Sequence, residues 1–132
     1  MTWIAVALGG ALGSVARHAV NATVARMAGQ PSPVSTAIVN IVGCAIIGVL
    51  AGLIAAGGLR MTAVARTFVF VGVLGGFTTF SSFGLDTLTL AHDGRPLAAA
   101  ANVLLQVSLG LAAVFIGYST FVTIGTRLNL EP

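Results

Sequence analysis

The chain has 132 residues, of which 57% are hydrophobic and only 7% charged. Soluble domains carry about 25% charged residues, so six arginines, two aspartates and one glutamate cannot cover a water-soluble fold of this size. A mean hydropathy of +1.04 excludes disorder too, because disorder needs low hydrophobicity and high net charge. The composition is that of an integral membrane protein with a single domain.

Spanning a bilayer takes about 20 consecutive apolar residues as a helix. The first such segment runs from Trp3 to Ala25 and is interrupted by Arg17, His18 and Asn21. No Lys or Arg precedes it, so a cleavable signal peptide is not expected. The second runs from Pro33 to Ala56, with Asn40 as its one strongly polar side chain and Thr36 one turn earlier on the same face. The third runs from Arg66 to Ala91, with Asp86 near its end, and the fourth from Pro96 to Ile124, with Asn102 and Gln106 one turn apart. The connectors are turns: Ala28 to Pro33, Gly57 to Arg60, and His92 to Pro96. They leave no room for a soluble domain.

The net charge is +3, but Arg17, Arg26, Arg60, Arg66, Arg95 and Arg127 are scattered at or near span ends and form no basic stripe, so nucleic acid is not a partner. Such arginines reach the headgroups instead. Counted by side, the N-terminal face of the bundle holds Arg60, Arg66 and Arg127, and the other holds Arg26 and Arg95, joined by Arg17 if that residue reaches it. Lys/Arg asymmetry sets orientation. Near-balance is consistent with a weak bias to one orientation, or with insertion both ways and an antiparallel dimer. The pairs Gly9/Gly13, Gly48/Gly52 and Gly72/Gly76 have the spacing that lets membrane helices approach closely, either within one chain or over a wider packing surface. The lone Cys44 lies inside an apolar run and has no internal disulfide partner.

The most informative stretch is Gly75-Gly76-Phe77-Thr78-Thr79-Phe80-Ser81-Ser82-Phe83-Gly84, in the middle of the third span. Adjacent glycines and four hydroxyl residues make a poor continuous helix. A break at bilayer depth is tolerated only where the freed backbone is buried in protein or faces a watery cavity. Freed carbonyls there suit cations, and freed N–H groups suit anions. Phe77, Phe80 and Phe83 form a ridge, which packs against lipid or core, or presents ring edges to an anion beside Ser81, Thr79 and Asn40. Cation pores often use carboxylate rings, and a proton-coupled cation exporter would carry a mid-membrane acid. Their near-absence points to an anion. No nucleophile elbow and no His/Glu metal motif occurs, so an enzyme is not expected.

Three pieces carry a resemblance to a known family: Gly9-Gly10-Ala11-Leu12-Gly13-Ser14-Val15-Ala16-Arg17, Ser35-Thr36-Ala37-Ile38-Val39-Asn40-Ile41-Val42-Gly43, and Gly75 to Phe83. In order and spacing the chain resembles the bacterial Fluc (CrcB) fluoride channels over essentially its whole length. The resemblance implies an all-α fold of four transmembrane helices with the third broken near its middle. It also implies an antiparallel, dual-topology homodimer in the cell (inner) membrane that exports fluoride passively. Phe80 and Phe83 match the family's pore phenylalanines and Asn40 its pore asparagine. Ser81 and Thr36 match hydroxyls near that path, and Arg17 an arginine at the aqueous mouth. A structural, non-transported Na⁺ would be held by the backbone carbonyls of Gly75 and Thr78 from each subunit. His18 departs from the aromatic common after that arginine, and the resemblance assigns no role to Asn102 or Gln106. Two alternatives are a small multidrug-type cation exporter, against which the missing membrane carboxylate argues, and a non-transporting membrane assembly protein, which leaves unexplained the sparse polar track that Thr36, Asn40, Asn102 and Gln106 make beside the broken helix.

Overall fold

The computed structural model describes residues 2–30 and 32–127. Pro31 of the first connector and Glu131 of the tail lie outside the described residues. In hydrocarbon every backbone polar group needs an internal partner, so each apolar run closes into a helix. The helices are α1 (Thr2–Ala28), α2 (Pro33–Ala55), α3 (Ala63–Arg66), which continues as a π-helical stretch (Thr67–Leu74) into α4 (Gly75–Phe77), then α5 (Phe80–His92) and α6 (Pro96–Arg127). Among the described residues four units are long and apolar enough to cross a membrane: Thr2–Ala28, Pro33–Ala55, Ala63–His92 and Pro96–Arg127.

The helix ends follow local chemistry. Ser32 caps α2 by accepting from Val34 N–H, with Pro33 in the first turn, where its missing N–H costs nothing. Thr62 caps α3 through Ala65 N–H, and this starts the third span three residues before Arg66, the start expected from hydropathy. Gly29, Gly57 and Gly94 take the left-handed conformation just past the ends of α1, α2 and α5, with φ of 72°, 73° and 72°, the geometry that stops a helix. The last helix runs 32 residues, beyond the Ile124 expected from hydropathy, and carries Gly125 against Ala56, which a Cβ there would meet.

Two long pairings build the bundle: α2 along α6, and α1 along the π-helical stretch and α4. Glycines make both possible. A Cβ on Gly72 would stand 2.9 Å from Gly9 Cα, and one on Gly76 would stand 2.6 Å from the Gly10 carbonyl. Across the other seam, a Cβ on Gly52 would stand 2.6 Å from the Tyr118 carbonyl. All three Gly-x-x-x-Gly pairs are therefore used within the chain, and none of them calls for a second one. The α5 segment closes against α6 and α2, and Val39 of α2, fully buried, sits at the centre.

Elsewhere the apolar side chains face outward. Trp3 is 87% exposed, Leu97 86% and Phe80 82%. A surface of this kind is stable in lipid, where no hydrophobic force drives such groups inward.

Candidate functional site

The third span breaks between α4 and α5, at Thr78 and Thr79. Both are extended, with φ/ψ of −81°/158° and −153°/112°. The break comes later than the Gly75-Gly76 pair, and those glycines stay helical. Gly76 is there for its contact with Gly10, not for flexibility.

Side chains take over the bonds that the helix lacks. The Thr79 N–H would bond the Gly75 carbonyl in a continuous helix. It donates instead to Asn40 Oδ1 at 2.8 Å. Asn40 Nδ2 donates back to the Thr79 carbonyl at 3.1 Å. The Ser82 N–H would bond the Thr78 carbonyl, but donates to Thr79 Oγ1 at 3.2 Å, the N-cap of α5. The helical donors of the Gly75 and Thr78 carbonyls are thus both diverted.

Thr79 Oγ1 also bonds Ser82 Oγ at 3.1 Å and lies 3.2 Å from Ser81 Oγ. The single Thr79 hydroxyl proton goes to Ser82, so Ser81 is the donor in the other pair. Asn40 Nδ2 spends its second proton on Gln106 Oε1 at 2.9 Å. Both amide protons of Asn40 are therefore engaged within the chain. Gln106 Nε2 bonds Asn102 Oδ1 at 2.9 Å and keeps one proton free.

Beside this cluster lies a cavity of about 360 Å³, lined by Asn40, Gly75, Thr78, Phe80, Phe83 and Gln106 among others. Phe80 and Phe83 stand with ring centroids 5.4 Å apart, tilted at 49°. Phe83 is buried, whereas Phe80 projects from the chain, so one ring packs in the bundle and the other is presented outward. Aromatic edges carry partial positive charge.

Of the residues singled out in the sequence, Asn40, Phe80, Phe83, Gly75 and Thr78 meet at this cavity. Ser81 reaches the cluster through Thr79 but is itself exposed. Thr36 is buried one turn from Asn40 and lines no part of the cavity. Arg17 is half-buried on α1, away from the cavity lining. The sequence groups Gln106 with Asn102, Asn40 and Thr36 as intramembrane polar side chains; the direct bond to Asn40 is what the structure adds. Asp86 is half-buried on α5. It shares a helical face with the buried Phe83 and Leu90, and its Oδ2 is inaccessible and unpartnered among the described residues.

Four spans, a broken third helix and a cavity at the break define a small multi-pass membrane protein. Comparison with known proteins agrees: the chain matches the family model described as CrcB-like protein, Camphor Resistance (CrcB), over residues 4–118, and it belongs to that family. It is 49% identical over 117 residues to the fluoride-specific ion channel FluC of Opitutus terrae, which covers 88% of this chain and 89% of that one. It is 46% identical over 119 residues to the FluC of Rhodospirillum rubrum, covering 89% and 92% of the two chains. Against that of Paracoccus denitrificans the identity is 48% over 116 residues, covering 88% and 90%.

Proposed function

We propose that the chain is a fluoride-selective channel that lets the anion leave the cytoplasm passively across the inner membrane. The observation that carries this reading is the cavity at the Thr78–Thr79 break. Its lining sets the amides of Asn40 and Gln106 and the rings of Phe80 and Phe83 among apolar side chains, and includes no acidic one. Fluoride is small and tightly hydrated, so a dry path must replace its water with close donors. The free Gln106 N–H and the rings of Phe80 and Phe83, whose edges carry partial positive charge, are such groups. The naming of relatives at 46–49% identity as fluoride-specific ion channels supports the same assignment.

The working unit in this reading is an antiparallel homodimer assembled from both insertions. Its support is the near-balanced arginine count and the outward Phe80, which one chain alone does not enclose. A structural Na⁺ fits the same frame. Gly75 and Thr78 offer carbonyl oxygens without helical donors, and a hard monovalent cation takes oxygen ligands. Two chains would supply four such oxygens. The ion would neutralise carbonyl dipoles that otherwise remain unpaired, and the chain's own residues do the rest of the work. A cation exporter would need a carboxylate facing the cavity, and Asp86 is not part of its lining.

The test is fluoride efflux from proteoliposomes that contain only this protein, with chloride as the control ion. Fluoride-specific efflux is the expected result. Equal passage of both anions, or of neither, overturns the reading.

A further inference from the structure

The hydrogen bonds that hold Asn40 do not end at Gln106. Gln106 Nε2 donates to Asn102 Oδ1 at 2.9 Å, Asn102 Nδ2 donates to Thr87 Oγ1 at 2.9 Å, and the Thr87 hydroxyl donates to the Phe83 carbonyl at 2.8 Å. The chain of bonds starts at the Thr79 N–H, which can only donate, and ends at the Phe83 C=O, which can only accept. Those two backbone groups set every carboxamide between them in one direction. Turning Gln106 over would set its Nε2 against Asn40 Nδ2 and its Oε1 against Asn102 Oδ1, two contacts between like atoms. Neither Asn102 nor Thr87 lines the cavity, and both are half-buried.

We propose that Asn102 and Thr87 are positioning residues: acting through Gln106, they hold the Asn40 carboxamide with Oδ1 on the Thr79 N–H and leave one N–H of Gln106 for the anion. A reversed Gln106 presents a carbonyl oxygen to the same space. Donors fixed in advance stabilise a charge without reorganising when it arrives. The relay therefore acts on both conduction and choice of ion. The proposal rests on the reading of the chain as a fluoride channel.

Thr87→Val tests it, because valine keeps the shape and removes the hydroxyl; Thr87→Ser restores the hydroxyl. Fluoride flux per assembled protein is measured in liposomes together with the fluoride/chloride permeability ratio. Losing one net hydrogen bond from the relay corresponds to a fall of about fivefold in flux for Thr87→Val. The permeability ratio should fall with it, and Thr87→Ser should match the unsubstituted protein. In a Gln106→Met background Thr87→Val should change neither reading further, since the amide it orients is gone. Unchanged flux and ratio in Thr87→Val, failure of Thr87→Ser to restore them, or an equal drop in the Gln106→Met background each overturns the proposal.

Hydrogen exchange at the Thr79 amide reads the relay without any ion. Exchange should accelerate in Thr87→Val and return to its original rate in Thr87→Ser; no change in Thr87→Val counts against the relay even if the protein conducts. Absence of fluoride flux in the unsubstituted protein instead removes the channel reading and leaves the exchange result to decide the relay. Asn102→Ala gives the same two readings should Thr87→Val fail to assemble.

Discussion

Asn40 holds the Thr79 peptide from both sides, accepting its N–H at 2.8 Å and donating to its carbonyl at 3.1 Å. One carboxamide on α2 thereby supplies the acceptor that the Thr79 N–H lacks in the third span, and the break is a built feature of the fold. An unpaired buried peptide group costs about 1–3 kcal/mol, so Asn40 contributes on that scale to keeping the break in place.

Asn40→Leu leaves the Thr79 N–H and Gln106 Oε1 without partners, while the Thr79 carbonyl keeps its place as first acceptor of α5. We expect thermal unfolding in detergent to occur at lower temperature, by an amount corresponding to about 2 kcal/mol or more, and fluoride flux to be lost. Asn40→Asp keeps the acceptor for Thr79 N–H but sets a carboxylate against the Thr79 carbonyl and Gln106 Oε1, and an ionised group there repels the anion as well. Flux should be abolished, and an active Asn40→Asp channel would contradict the assigned path.

The two phenylalanines separate packing from conduction. Phe83 is buried and Phe80 is 82% exposed in the single chain. Phe83→Ile should lower stability by about 1 kcal/mol through imperfect refilling of its site, whereas Phe80→Ile should leave the chain's own stability unchanged. Both remove a ring edge, so both should lose most of the fluoride flux. Flux that follows stability alone would limit the rings to packing.

Adjacent glycines should respond differently. A Cβ on Gly76 meets the Gly10 carbonyl at 2.6 Å, whereas one on Gly75 meets only the Phe70 carbonyl, at 3.8 Å. Gly76→Ala should push α1 and α4 apart and destabilise the protein by about 1–3 kcal/mol. Gly75→Ala should fold normally as a single chain, so any loss of flux it causes arises from the face that Gly75 exposes. Chemical unfolding of the two variants side by side distinguishes them.

Orientation is open to a direct test. Adding two lysines to the connector that follows Gly57 should bias insertion to one side. A C-terminal tag, labelled from one side of sealed vesicles, should be reached in about half of the unmodified molecules if both insertions occur equally, and in nearly all or none of the biased ones. Flux should fall in the biased form and recover when a copy biased the other way is co-expressed. Full activity in a uniformly oriented population would exclude the antiparallel dimer.

The proposed structural Na⁺ is checked by assembly in strictly Na⁺-free solution. Freed carbonyls at Gly75 and Thr78 should then lack a ligand, and flux should be lost until Na⁺ is returned during reconstitution. No Na⁺ should accompany the fluoride. Normal flux without Na⁺, and with no other cation substituting, removes the ion from the model.

How much of this was legible in the chain follows from the range of each interaction. Four spans, their connectors and the broken third helix are local properties. Apolar runs must become helices in hydrocarbon, Gly29, Gly57 and Gly94 stop them, and Gly75 to Phe83 is too poor a helix former to continue unaided. Asn40, Phe80 and Phe83 stood out for the same reason, as polar or aromatic groups in segments that tolerate few. The break's position at Thr78–Thr79 was not local. It depends on Asn40, 39 residues away, taking the Thr79 N–H, and on Gly76 being needed as a helical contact for α1. The role of Gln106 was equally hidden, because its bond to Asn40 joins residues 66 apart. Hydropathy and spacing register which groups must avoid lipid; only the packing of α2 against α5 and α6 decides which of them meet, and a hydrogen bond exists only once its two ends have been brought within about 3 Å.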